Sequence, residues 1–161
     1  MEIREYIDTD WPSVWPIFQE VVAAGDTFAY DPKWTSEEAR DVWVLDPPGH
    51  TFVACEGPRV LGTAHMGPNR PGPGSHVSTA SFMAASDARG QGVGRALGEY
   101  ALSWAREQGY AAMQFNAVVE TNHVAVRLWR KLGFRIIGTV PEAFEHPTLG
   151  RAGLHVMHRF L

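Results

Sequence analysis

Cysteine is nearly absent: Cys55 is the only one in 161 residues. No disulfide can form within the chain, and a reducing compartment is the expectation. Long apolar runs are missing too, since none approaches the ~18 residues of a membrane-spanning helix. The N-terminal Met1-Glu2-Ile3-Arg4-Glu5 lacks the apolar core of a secretory signal. There is no basic excess, because 14 Lys+Arg against 18 Asp+Glu leave a net charge of −4. That argues against nucleic acid as a partner. Charged residues make up 20% and hydrophobic residues 45%, an ordinary globular balance that excludes a disordered or fibrous chain. The length suits one domain over residues 1–161, large enough to bury a core without staples. The expectation is a single cytoplasmic domain with neither a membrane nor a nucleic-acid partner.

Local signals place the elements. Ile3, Glu5 and Ile7 alternate with Arg4 and Tyr6, which predicts a first strand over 2–7. Asp8-Thr9-Asp10 offers an N-cap, followed by Pro12 in the first helical turn. Apolar residues from Val14 to Val22 recur at helical spacing, and Gly25 stops that helix. Thr35 with Glu38 three residues on is a capping box for a second helix. Strands follow over 51–56, 60–66 and 77–85, with a Pro/Gly-rich hairpin loop over 67–75. A helix over 92–108, a strand over 112–119, a short helix over 122–132 and strands over 134–140 and 153–160 complete the order. The predicted fold is mixed α/β, a mostly antiparallel sheet of about seven strands flanked by four helices.

The most informative stretch is Arg89-Gly90-Gln91-Gly92-Val93-Gly94-Arg95, between a strand and an amphipathic helix. Alternating glycines let the backbone turn tightly and approach a ligand. The free N–H groups at a helix start favour an anion such as phosphate. Two known fingerprints fail: Arg95 stands where a dinucleotide motif needs its third glycine, and no Lys-Ser/Thr pair makes a phosphate loop. A tight turn without a ligand is the plain alternative.

Arg89-x-x-Gly92-x-Gly94 resembles the Q/R-x-x-G-x-G/A motif of the GCN5-related N-acetyltransferases, which binds the pyrophosphate of acetyl-CoA. A second segment, Asn122-x-x-Ala125-x-x-x-Trp129-x-x-x-Gly133-Phe134, resembles that family's N-x-x-A-x-x-x-Y-x-x-x-G-F. The resemblance implies a fold in which strands 77–85 and 112–119 splay apart and the pantetheine arm of acetyl-CoA inserts between them. It assigns backbone pairing to Phe82, Met83 and Ala84. It gives the pyrophosphate to the N–H groups from Gly90 through Gln91, Gly92, Val93 and Gly94 to Arg95, with Arg89 beside them. Asn122 would bond the pantetheine, serve as a plain N-cap, or do both. No metal is implied.

Two departures leave the catalytic groups unassigned. Trp129 stands where the family often has Tyr, and an indole N–H is no acid at neutral pH. No carboxylate occurs in Val77-Ser78-Thr79-Ala80-Ser81-Phe82-Met83, where several relatives carry a Glu. Glu120, His65 and Trp129 are weak candidates, each with a structural role as its alternative, and ordered water is a further route for the proton.

The loop Thr27-Phe28-Ala29-Tyr30-Asp31-Pro32 resembles the branch that acetylates small amino-acid-like amines, phosphinothricin acetyltransferases among them. Phe28 and Tyr30 would wall its pocket. Asn116 and Asn122, six residues apart, resemble the paired asparagines of fungal acetyltransferases acting on proline analogues such as azetidine-2-carboxylate. Asn116 on an apolar strand reads as a buried amide that a ligand carboxylate would satisfy. The resemblance implies an acetyl-CoA-dependent N-acetyltransferase acting on a small-molecule amine by direct attack on the thioester. A protein N-terminal acetyltransferase and an inactive CoA-binding sensor are the alternatives. A homodimer through the last strands stays open.

Overall fold

The computed structural model describes residues 1–161. The strands are β1 (Glu2–Glu5), β2 (His50–Glu56), β3 (Arg59–Pro68), β4 (Val77–Ala84), β5 (Ala112–Val119), β6 (Arg135–His146) and β7 (Gly150–Phe160). The helices are α1 (Trp11–Ala24), α2 (Ser36–Trp43), α3 (Val93–Glu107) and α4 (His123–Lys131). All seven strands join one sheet in the order β1-β2-β3-β4-β5-β7-β6. Neighbours are antiparallel except β4 and β5, which α3 connects as a parallel pair. The predicted element order and fold class hold.

Helix ends follow local chemistry. Thr35 accepts from the Glu38 N–H at 3.2 Å, and Glu38 accepts from the Thr35 N–H at 2.7 Å, so the capping box of α2 forms. Gly25 closes α1 at φ 68°, a left-handed conformation that glycine adopts without a Cβ penalty. The start of α1 differs from expectation. Asp10 makes no cap bond; its carboxylate takes both Arg4 guanidinium nitrogens at 2.7 Å and the Ile7 N–H at 2.9 Å. The Arg4 bond holds the Asp10 carboxyl below its ordinary range despite its burial. Residues 8–10 form a 3₁₀ turn, and β1 stops at Glu5.

The late strands run further than their composition suggests. β6 continues through Pro141 to His146, and β7 begins at Gly150. Proline is tolerated because β6 is an edge strand and its register shifts between Val140 and Phe144. The helices of each face press onto one sheet. Trp43, Phe18, Phe52, Leu61, Leu97 and Met113 are at most 2% exposed in a shared core of 29 residues. Each such side chain contributes roughly 1.5–3 kcal/mol by leaving water.

This packing positions a split. β4 and β5 pair only at Val77–Ala112 and Ser78–Met113, at their first residues. Beyond that point β4 stays paired with β3, and β5 with β7. β5 also shifts register against β7 between Phe115 and Val118, so Asn116 and Ala117 bulge at the split.

Candidate functional site

The open edge of β4 can be read from its other side. The Asn69 N–H donates to the Val77 carbonyl and the Ala85 N–H to the Leu61 carbonyl. Antiparallel pairing alternates, so the odd-numbered residues of β4 bond toward β3. The peptide groups of Ala80, Phe82 and Ala84 therefore face the split. Met83 is different: its backbone belongs to the β3 ladder opposite Thr63, and its side chain is buried. Of the three residues expected to pair with pantetheine, Phe82 and Ala84 turn their peptide groups to the split and Met83 does not.

Below the split lies the glycine turn. Gly90 and Gly92 have φ of 79° and 80°, and Gly92 is the residue just before α3. A Cβ built on either meets no protein atom within 4 Å. Conformation, not crowding by the protein, demands glycine here, and the space above the turn is free for a ligand. No backbone acceptor takes the N–H of Gly90, Gly92, Val93, Gly94 or Arg95. Five N–H groups without backbone partners thus lie at or just before the positive end of a 15-residue helix. Arg89 is exposed and pairs with no carboxylate, whereas Arg95 donates from Nε to Glu99 at 2.8 Å. Gln91 folds back, donating from Nε2 to the Asp87 carbonyl at 3.2 Å. These residues fit a pyrophosphate, and the open edge of β4 fits an extended amide-bearing chain. Acetyl-CoA has both.

Between β4, β5, α4 and the loop linking α1 to α2 is a cavity of about 290 Å³. Phe28 and Tyr30 wall it from the loop, with ring centroids 5.4 Å apart. Burial pushes the Tyr30 hydroxyl above its ordinary pKa, so it stays protonated at neutral pH. Thr79, Ser81 and Phe82 line it from β4, Asn116 from β5, and Asn122 and Trp129 from α4. The cavity therefore gathers Phe28, Tyr30, Phe82, Asn116, Asn122 and Trp129 from distant parts of the chain.

Trp129 is 7% exposed and packs on Phe82 and Phe115, at centroid distances of 4.8 and 4.9 Å. It is a wall of the cavity. Asn122 caps α4, its Oδ1 accepting from the Ala125 N–H at 3.2 Å, and its side chain also borders the cavity. Asn116 is exposed, which corrects the expectation of a buried amide. The bulge turns it to the rim, where Gln114 and Asn69 already bond it.

The two remaining catalytic candidates lie outside the cavity lining. Glu120 accepts from the Gly153 N–H at 2.6 Å, tying the end of β5 to β7. His65 stacks on Trp43 at 4.4 Å, and its Nδ1–H donates to the Trp43 carbonyl at 2.9 Å. Burial pushes its pKa below the ordinary 6.5. Ser78 is fully buried and donates to the Ala112 carbonyl at 3.1 Å, so the sheet satisfies it. No carboxylate or imidazole lines the cavity. No group of three or more His, Cys, Asp or Glu side chains is placed to hold a metal ion. No helix is long and apolar enough to cross a membrane.

Sequence reasoning missed Gln114 and Asn69. Gln114 carried a signal, an amide two residues before Asn116 on the same strand face. Asn69, in the loop after β3, carried none.

Known proteins agree with this geometry. The family model described as Acetyltransferase (GNAT) family matches residues 3–134. The solved structure of a GCN5-related N-acetyltransferase from Kribbella flavida is 58% identical, with a TM-score of 0.96, over 99% of this chain and 97% of that one. A ribosomal-protein-alanine N-acetyltransferase from Brucella melitensis is 27% identical, with a TM-score of 0.85, over the whole of both chains. Among curated relatives, N-acetyltransferase aca1 of Schizosaccharomyces pombe is 34% identical over 84 residues, 52% of this chain. The matched stretch spans only 40% of that relative's length.

Proposed function

The chain belongs to the acetyltransferase (GNAT) family, and on that premise we propose that it moves an acetyl group from acetyl-CoA to the amine of a small amino-acid-like molecule, as a single N-acetyltransferase domain over residues 1–161. The observation that carries the acceptor class is the cavity itself. Its 290 Å³, closed on one side by Phe28 and Tyr30, suits a small molecule better than a protein chain.

The roles follow from position. The N–H groups of Gly90 and of Gly92 to Arg95 would hold the pyrophosphate, with Arg89 adding a charge-assisted bond. The peptide groups of Phe82 and Ala84 would pair with the pantetheine amides. An N–H on this edge would also stabilise negative charge growing on the thioester oxygen. Asn122 would hold pantetheine while capping α4. Trp129, Phe115 and Phe82 would exclude water around the sulfur. The acceptor amine would sit under Phe28 and Tyr30, its polar end against Asn116.

No carboxylate or imidazole lines the cavity, and burial keeps the Tyr30 hydroxyl protonated, so the attacking amine would lose its proton to water. In that case log kcat/KM rises with unit slope up to the acceptor amine's own pKa, with no enzyme inflection below it. A panel of free amino acids, simple amines and short peptides, read by thiol release, tests the reading. Turnover of free amino acids above peptides supports it. Turnover confined to peptides overturns it in favour of N-terminal acetylation, the activity in the name of the Brucella relative. Binding of acetyl-CoA with no turnover of any probe would leave the sensor reading.

A further inference from the structure

Acetyl transfer leaves one proton to be taken from the attacking amine, and the wall of the cavity on β4 has a place for the water that takes it. Ser81 lines the cavity there, and its hydroxyl has no partner in the protein. Ser81 pairs directly with His65 on β3, so the two side chains leave the same face of the sheet. Cross-strand partners of this kind have Cβ atoms about 5 Å apart.

The state of the His65 ring is fixed by its other nitrogen. A backbone carbonyl only accepts, so the 2.9 Å bond to the Trp43 carbonyl puts the ring proton on Nδ1. Nε2 then carries a bare lone pair. Trp43 stacks on the ring at 4.4 Å. The Trp43 indole N–H donates to Thr63 at 3.0 Å, and Thr63 donates to the Phe52 carbonyl at 3.1 Å. A buried chain of bonds thus holds the imidazole from behind. Nε2 has no protein partner, yet it is not sealed from solvent as His50 Nε2 is. The neighbours of the ring are Trp43 from α2, Thr51 from β2 and Ser81 from β4, and no charged group bears on it. Burial outweighs the Trp43 carbonyl and keeps the ring neutral at pH 7.

We propose that Ser81 and His65 together hold the water that receives the acceptor's proton, which makes His65 a positioning residue that acts through that water. As the amine nitrogen bonds the thioester carbon it becomes strongly acidic. It gives one proton to the water, and the water gives one to His65 Nε2. The C–S bond then breaks, the thiolate leaves with the electron pair, and His65 returns the proton to sulfur through the same water. One N–H becomes one S–H, and no further reactant is needed. The inference rests on the acetyl transfer proposed above but not on the choice of acceptor.

The test compares Ser81→Ala, His65→Gln and the double variant with the parent. The probes are phosphinothricin and, for a parent that refuses it, a short alanine peptide. At pH 8 each single variant should lower kcat at least about tenfold, with both KM values within twofold of the parent. The two residues act on one path, so the double variant should be no slower than the slower single one. Ser81→Ala leaves the Trp43 stack intact, and it carries the test even where His65→Gln fails to fold. The pH profile separates this path from free water. Below pH 6.5, where His65 takes up a proton, the parent's log kcat/KM should fall more steeply than unit slope, and His65→Gln should keep unit slope. A smaller kcat loss in Ser81→Ala, a loss carried by KM, losses that multiply in the double variant, or an unbroken unit slope in the parent down to pH 5 would each overturn the relay and leave the acetyl transfer standing. A parent that binds acetyl-CoA and acetylates neither probe would overturn both.

Discussion

Glu120 Oε1 accepts a 2.6 Å hydrogen bond from the Gly153 N–H, and the Glu120 N–H donates to the Gly153 carbonyl at 3.0 Å. Glycine at 153 leaves room for this pair. A Cβ there would sit 2.7 Å from Thr139 Cγ2 and 2.9 Å from Glu120 Oε2. The pair joins β5 to β7 just past the bulge that shapes the acceptor rim.

Glu120 therefore works as a strand fastener. Glu120→Ala should leave kcat within about threefold of the parent, while unfolding costs fall by about 1–3 kcal/mol for the orphaned N–H. Chemical denaturation and turnover on one preparation check both. A folded Glu120→Ala enzyme with a thousandfold loss of kcat would make this carboxylate the missing base.

Trp129 separates packing from chemistry. Trp129→Phe keeps an aromatic wall against Phe82 and Phe115 and removes only an indole N–H. Turnover should stay above a tenth of the parent, because the N–H supplies at most one hydrogen bond, about 1 kcal/mol. Trp129→Ala should cost about 3–5 kcal/mol of stability by opening a void in the core. Gly98 lies beneath this ring, where a Cβ would come 2.9 Å from Trp129 Cζ3, so Gly98→Ala should destabilise as well.

Acetyl-CoA should raise the melting temperature by several degrees, since a hundredfold excess over Kd adds roughly 2.7 kcal/mol to the native state. Gly92→Val should abolish most of that shift. Its branched side chain cannot adopt φ 80° without strain, and it would project into the space the phosphates need. Arg89→Ala, exposed and free of such strain, should weaken acetyl-CoA without lowering the melting temperature of the protein alone. Equal shifts in parent and Gly92→Val would move the pyrophosphate elsewhere.

His65 and His50 give stability a pH dependence. Burial lowers both pKa values, although Glu5 acts in the opposite direction on His50. Above the ordinary value of 6.5 both states carry neutral rings, and stability is complete. As pH falls below 6.5 the unfolded chain takes up protons first, so stability declines toward the lowered native value. Denaturation midpoints should fall with acid between about pH 7.5 and 5, and less steeply in His65→Gln than in the parent. Identical slopes would show that His65 titrates alike in both states.

Which features were legible depends on how local their causes are. The glycine turn needed only Gly90 and Gly92 in left-handed backbone before an amphipathic helix, and the capping box at Thr35 needed only its own four residues. The end of β6 was hidden because Pro141 breaks a central strand but not an edge strand, and edge position is a property of the whole sheet. Asp10 looked like a cap because its partner Arg4 belongs to β1. The link from Asn116 to Asn69 spans 47 residues and depends on the bulge in β5, which no local pattern encodes. Glu120 looked available for chemistry until Gly153, on β7, was placed beside it.

Asn116 and Asn122 both line the cavity, but they should fail in different ways. Asn116 is exposed at the rim, where Gln114 and Asn69 bond its amide, and the proposed acceptor would lie against it. Asn116→Ala should raise acceptor KM or lower kcat by about 1.5–3 kcal/mol, the range for a hydrogen bond to a charged group. Its acetyl-CoA KM should stay flat, because the pyrophosphate donors lie on the turn after β4. Asn122 has a second task, as its Oδ1 holds the Ala125 N–H at the start of α4. Asn122→Ala should therefore cost about 1 kcal/mol of stability as a lost cap and weaken acetyl-CoA. Asn122→Asp keeps an oxygen for the cap but loses the amide N–H, so it should recover stability without recovering acetyl-CoA affinity. Steady-state kinetics with each substrate varied, beside melts of each variant, separates these effects. If Asn116→Ala raised the KM of both substrates alike, the residue would be serving the bulge rather than the acceptor. If Asn122→Asp regained acetyl-CoA binding along with stability, the cap alone would explain Asn122.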